Sequence, residues 1–533
     1  MSDLEILIGL VAVAVLLVRL ADVIAIPYPI VLVVAGVMIG LIPGAPGAEL
    51  DPEVIFLLFL PPLLFSAGQS TSPAEMREEA GPLGGLVIGL SIVTMIAVAV
   101  VANAVIPWLD WTEALLLGAI VAPTDPVAAI ATFTRMGVPQ RVSRLVEGES
   151  MVNDATALVL YRVLVIAVVS GSLTLDTALS ELVVGVIGGV AIGLVIGWVA
   201  VRLRRRLADP SLSILLTVVI AYGAYLAAEH VGASGVLSAV AAGLYVGTRS
   251  RTELDAETRL NGIAFWGTFV LALNVLLFIL LGLRLPSIIE AVHKVLSVGE
   301  MIGYGAMVSL VVIVVRLLWQ FGPVSLGRYF SPALRFDTGD GWKERFVVGW
   351  AGMRGAVSLA AALSLPLTLD GGAPFEGREV LIFLTVAVIL STLVIQGLTL
   401  PVLIRRIGLT DGAEEFSMRE AEARVAVTRA ALTRLDELAG ERPELPERLV
   451  DRVRSFYEVR LHRWQAAADQ GIHPMDIDSN LSHLPEVRRD LLEAERAELL
   501  RARRTGEIDL RLFEELQREL DLEETRLPVA VDG

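Results

Sequence analysis

The chain has 533 residues, 55% of them hydrophobic, with a mean hydropathy of +0.68, an excess over the ~45–50% apolar content usual in soluble domains. It has no cysteine, which excludes disulfides, thiolate catalysis and cysteine-based metal centres, and its five histidines show no paired metal-ligand spacing. The net charge of −16 is uneven: residues 411–533 carry 19 basic and 29 acidic side chains, and so acidic a segment lacks the basic footprint that nucleic-acid binding requires.

Apolar runs follow one another up to residue 410, each near the ~20 residues that cross a bilayer. They predict about thirteen spans, at 4–20, 28–42, 53–68, 84–107, 112–134, 145–170, 176–203, 211–230, 234–248, 264–284, 299–327, 345–365 and 379–404. The first has no basic stretch before it and no small-residue cleavage site after it, so it reads as a retained helix rather than a signal peptide. Basic residues cluster after odd-numbered spans: Arg77, then Arg135, Arg141 and Arg144, then Arg202, Arg204, Arg205 and Arg206, then Arg249, Arg251 and Arg259, then Arg328, Arg335, Lys343 and Arg345. Loops after even-numbered spans hold only Arg284, Lys294 and Arg378. By the positive-inside rule the odd loops are cytoplasmic. That places the N-terminus outside, the tail in the cytoplasm and the chain as a multi-pass protein of the cell (inner) membrane. In the tail, charged residues alternate with Leu, Val and Ala at helical spacing, as at Arg429, Leu432, Leu435 and Leu438. The reading is two domains: a transmembrane domain at 1–410 and a soluble helical domain of two to four helices at 411–533.

Charge inside a span is expensive and marks function. Span five carries Asp125 between Pro123 and Pro126. Each proline removes a backbone donor and clashes with the carbonyl four residues back, so the helix should unwind near mid-membrane. Non-helical backbone survives there only where it lines a cavity or is buried in protein. Span six carries Glu149, Ser150, Asn153 and Asp154, with Glu147 at its mouth. Ser150 and Asp154 are four residues apart and share a helix face, with Glu149 and Asn153 on the adjacent strip. This set offers the oxygen ligands that hard cations such as sodium take. Arg316 in span eleven and Arg354 between Gly352 and Gly355 in span twelve each need an acid or a cluster of carbonyls, and Glu149 and Asp125 are the candidate acids. Arg162 in span six reads as structural. Interrupted helices in corresponding places of two halves point to a transporter site.

Four segments, LPPLLFSAG at 60–68, APTDPVA at 122–128, EGESMVNDATALVLY at 147–161 and GMRGAVSLAAALSLP at 352–366, resemble the motifs of the monovalent cation:proton antiporter-1 family, the sodium–proton exchangers of the NhaP/NHE type. The resemblance spans residues 1–405. It implies an all-α, inverted-repeat membrane fold of thirteen helices with crossed broken helices, working as a homodimer by an elevator-like movement of a core domain. It also implies that Asp154 binds cation or proton in turn, and that Asp125, the Thr124 backbone and Ser150 complete a Na+ site. Asn153 would mark the Asn-Asp form linked to electroneutral 1:1 exchange. Glu149 would form a structural ion pair, with Arg316 its first partner and Arg354 its second. Where many relatives carry an acid in the third-span motif, this chain has Ser66, which bears on the choice between Na+ and K+. No cofactor is expected, and no enzymatic activity.

Four other readings compete. The first is a K+/H+ antiporter of the same fold. A cation channel would need a repeated pore-lining element. A carrier of organic anions or amino acids would need helix N-termini or unpaired arginine at its site. A membrane sensor would show no flux.

Overall fold

The computed structural model describes residues 15–42, 51–171, 175–322, 342–409 and 412–470, save single positions, together with a few residues beyond 490. The first predicted span lies mostly outside the described residues, as do Arg328 and Arg335. The chain divides into two units, Met1–Thr410 and Asp411–Gly533.

In the first unit the helices run α1 (Tyr28–Gly40), α2 (Pro52–Ser70), α3 (Pro73–Val105), α4 (Trp111–Val121), α5 (Val127–Met136), α6 (Gln140–Ser170), α7 (Leu175–Arg204) and α8 (Pro210–His230). They continue with α9 (Gly235–Glu253), α10 (Ala256–His293), α11 (Val298–Phe321), α12 (Trp342–Trp350), α13 (Ala356–Leu363) and α14 (Arg378–Ile407). Among the described residues, eight helices are long and apolar enough to cross a membrane. Their ends carry local stop and start signals. Asp110 and Glu113 form a capping box on α4, Ser297 and Glu300 one on α11, and Asp255 caps α10. Several helices outrun their apolar stretch: α10 extends well past the predicted 264–284 at both ends because its polar flanks continue the helix.

Lipid offers no hydrophobic drive between helices, so close packing relies on small residues. The α2–α9 contact shows this: a β-carbon on Gly243 or Gly247 would strike the carbonyls of Phe65 and Gln69, and one on Gly68 would strike that of Val240. Glycines 189 and 193 of α7 meet the Ser234 and Ser238 carbonyls in the same way. Outward faces stay apolar, as with Val183, Ile187 and Val195 on α7. The main buried cluster joins Phe59 of α2, Leu277 of α10, Leu359 of α13 and Leu393 of α14. A second, around Phe65, Ala221, Ala242 and Trp266, lies among α2, α7, α8, α9 and α10.

In the second unit, α15 (Gly412–Glu441) and α16 (Glu447–Gln470) pack on each other. Arg454 pairs with Asp436 at 2.5 Å, and Arg424 lies 4.5 Å over the Trp464 ring. Of the tail prolines, Pro443 and Pro446 lie between α15 and α16, while Pro474 and Pro485 fall outside the described residues.

Candidate cation site

The two interrupted spans clasp each other at their breaks. Pro123 and Pro126 end α4 at Val121 and restart the helix as α5 at Val127. The glycine-flanked Arg354 ends α12 at Trp350 and restarts it as α13 at Ala356. Across the gap, the Asp125 N–H donates to the Met353 carbonyl at 2.8 Å. The Asp125 carboxylate accepts from the Val127 N–H at 3.0 Å and the Ala356 N–H at 3.4 Å. One acid therefore serves the N-termini of both second half-helices, where the helix dipole is positive.

The arginines serve the opposite ends. Arg354 donates from Nε to the Val121 carbonyl at 2.9 Å and also to the Gly352 carbonyl, closing the C-terminus of α4. Its own N–H donates to Thr392 of α14 at 3.1 Å. Arg316 donates to the Val348 and Gly349 carbonyls at 3.1 and 3.2 Å, closing the C-terminus of α12. It also pairs with Glu149 at 2.5 Å, and both are buried. Of the two candidate arginines, Arg316 is thus the one bonded to Glu149, while Arg354 takes carbonyls and Asp125 takes backbone donors. Glycine is required at two of these positions: a β-carbon on Gly355 would fall on the Asp125 carboxylate, and one on Gly352 on the Arg316 guanidinium.

Helix α6 crosses this clasp. The Ser150 hydroxyl donates to the Thr124 carbonyl. The Asn153 amide donates to the Ala122 carbonyl at 2.9 Å and the Thr124 hydroxyl at 3.4 Å, and accepts from Ser91 of α3. Asn153 is 1% exposed and fully engaged, so it braces the unwound backbone rather than facing the opening. Asp154 does face it. A cavity of about 260 Å³ is lined by Thr124, Asp125, Ser150, Asp154, Ser66 and Asn274, among others. The Oδ1 of Asp154 is buried and has no hydrogen-bond partner among the described residues. Arg162, by contrast, pairs with Glu229 at 3.0 Å and with the Ala233 carbonyl, away from this cavity.

Ser91, Asn274 and Ser358 escaped the sequence reading. Asn274 and Ser358 line the cavity, and each holds a buried oxygen without a hydrogen-bond partner among the described residues. Neutral polar residues in apolar helices carry no charge signal. Only Asn274, an amide in the middle of span ten, would have stood out.

A bilayer-spanning helical fold whose two broken helices clasp each other beside a cavity with facing carboxylates is that of an ion-coupled secondary transporter. The family "Sodium/hydrogen exchanger, transmembrane" matches residues 9–406. A Na(+)/H(+) exchanger of Mycobacterium bovis is 33% identical over 509 residues, 94% of this chain and 91% of the relative. The Na(+)/H(+) antiporter ApNhaP of Aphanothece halophytica is 32% identical over 414 residues, 77% of this chain and 75% of the relative. The fold superposes on the sodium proton antiporter MjNhaP1 of Methanocaldococcus jannaschii with a TM-score of 0.59 at 18% identity, covering 76% of this chain and 98% of that one. The chain belongs to the sodium/hydrogen exchanger family.

Proposed function

We propose that this protein exchanges Na+ for H+ one for one, and that Asp154 carries each in turn. The observation that carries the reading is the Asp154 carboxylate: buried in a cavity, lacking a partner on Oδ1 among the described residues, and set beside Asp125, Thr124 and Ser150. A hard monovalent cation takes oxygen ligands, and these residues supply them. Proton and cation exclude each other on one carboxylate. When the cavity opens to one side and then the other, the two are driven in opposite directions without a phosphorylated intermediate. Asp125, tied to both helix N-termini, holds the clasp rigid at the cavity wall, and Asn153 braces it from α6. Glu149 and Arg316 form a structural ion pair in this scheme.

The charge alternation of the loops supports a cell-membrane protein with its N-terminus outside and its tail in the cytoplasm. The family resemblance supports a homodimer. Ser66 on the cavity wall favours a second reading, a K+/H+ exchanger of the same mechanism. A hydroxyl in place of an acid lowers the field that selects the smaller, more strongly hydrated ion. Proton-coupled flux in proteoliposomes, compared among Na+, K+ and Li+, separates the two. In the same assay Asp154→Asn should insert and fold but lose exchange in every cation. Wild-type flux from that variant would remove the central claim.

A further inference from the structure

A second cavity, of about 390 Å³, lies where α2, α7, α9 and α10 meet, at the ends of those helices that the charge alternation assigns to the cytoplasm. Its lining includes Gln69, Arg204, Ser250, Thr258, Arg259 and Gly262, and among the described residues holds two arginines but no Asp or Glu. Arg204 is 4% exposed. Its Nε donates to the Ser213 hydroxyl at 2.9 Å and its Nη1 to the Ser250 hydroxyl at 2.8 Å. Among the described residues no carboxylate pairs with it. Two acids at the α9–α10 junction are committed elsewhere. Glu253 pairs with Arg205 at 2.5 Å and Arg249 at 3.4 Å, and Asp255 caps α10 through the Thr258 N–H and hydroxyl. Arg259 donates to the Leu254 carbonyl.

A buried guanidinium without a counter-charge is costly, and two serine hydroxyls do not neutralise it. We infer that this cavity binds a phosphate-type anion, the phosphodiester headgroup of an anionic lipid, between Arg204 and Arg259. Arginine suits phosphate because its planar fork donates two parallel hydrogen bonds. Basic pockets between transmembrane helices on the cytoplasmic side are the setting in which such headgroups bind. The rim fits a lipid as well: Ile263 lines the cavity and is 74% exposed, an apolar surface for the acyl chains next to the headgroup. This site is separate from the carboxylate cavity, the two sharing only the α2 edge at Ser66 and Ser70.

The test uses the full-length protein, purified and delipidated in detergent, with thermal unfolding read against added phosphatidylglycerol, phosphatidylcholine or inorganic phosphate. A ligand that binds only the folded state raises Tm in proportion to its affinity. Phosphatidylglycerol should stabilise the wild type while phosphatidylcholine does not. Arg204→Gln should raise the concentration needed by about tenfold or more. Because that variant loses bonds to Ser213 and Ser250 and can fail to fold, Gly262→Leu provides a second arm. A β-carbon there meets nothing within 4 Å, so the added side chain fills the cavity and leaves both arginines intact. The same tenfold weakening is expected. Stabilisation by inorganic phosphate alone, lost in both variants, would support the phosphate site and make its source a free anion. Equal stabilisation of all three proteins by phosphatidylglycerol, or no effect of either phosphatidylglycerol or phosphate, overturns the inference.

Discussion

Glu149 and Arg316 can be read from sequence in a way that Arg354 cannot. Both are charges inside apolar helices, so each announces itself, and Arg316 at 1% exposure has to be neutralised. The choice of Glu149 for Arg316 rests on the family resemblance, but that Arg316 needs a partner follows from its burial. The role of Arg354 does not, because its partners are the carbonyls of Val121 and Gly352, and a carbonyl leaves no mark in sequence. Two outcomes follow. Glu149→Gln leaves a buried guanidinium with only the Val348 and Gly349 carbonyls, and breaking such a pair costs ~3–5 kcal/mol. Its thermal unfolding in detergent should shift down strongly while the Na+ dependence of residual flux stays near wild type. A fully stable variant with a changed ion preference would make Glu149 a ligand. Arg354→Lys keeps the charge but loses the fork that reaches two carbonyls. It should lower both Tm and flux, and equal values for variant and wild type would argue against the capping role.

Among the elements, the breaks themselves were legible. Pro123 and Pro126 forbid a continuous helix, and Gly352 and Gly355 around Arg354 signal close backbone approach. What they approach was not legible, since the clasp joins backbone groups of two segments more than 200 residues apart, as in the bond from the Asp125 N–H to the Met353 carbonyl. The glycines then acquire a specific meaning. A β-carbon on Gly355 overlaps the Asp125 carboxylate, so Gly355→Ala must push α13 away from α5 or displace Asp125. Flux should fall by about tenfold or more, equivalent to ~1.4 kcal/mol, in a protein that still inserts. Gly371 meets nothing within 4 Å, and Gly371→Ala should stay within ~0.5 kcal/mol of wild type. Matched flux from the two variants in reconstituted liposomes would show that the clasp tolerates displacement. The α2–α9 contact makes a parallel case for packing. The apolar run at 234–248 predicted a helix in span nine, but not that Gly243 and Gly247 lie backbone to backbone against Phe65 and Gln69.

The whole molecule sets the stoichiometry. A carrier with one group that takes either a proton or a monovalent cation moves equal charge in both directions, and membrane voltage then does no work on the cycle. A second titrating carboxylate facing the cavity would allow two protons per cation and bring voltage in, at ~2.3 kcal/mol per charge per 100 mV. Of the acids at this centre, Glu149 is bonded to Arg316 at 2.5 Å, position 153 is an asparagine braced against Ala122, and position 66 is a serine. Glu147 also lines the cavity and has an interaction of its own within the protein, which leaves Asp125. Its carboxylate accepts from the N-termini of both α5 and α13, an arrangement that would break if it left the clasp to collect a proton in each cycle. Exchange should therefore be electroneutral. Raising the proton concentration on the Na+ side should raise the Na+ concentration needed for half-maximal flux, because in the proposed scheme both ions compete for Asp154. The decisive measurement clamps the liposome potential with valinomycin and varies it at fixed pH and Na+ gradients. Net exchange should keep its direction and rate at every potential. Reversal by voltage alone would end the one-for-one scheme and make Asp125 the second proton carrier, and Asp125→Asn should then restore independence from voltage in whatever flux survives.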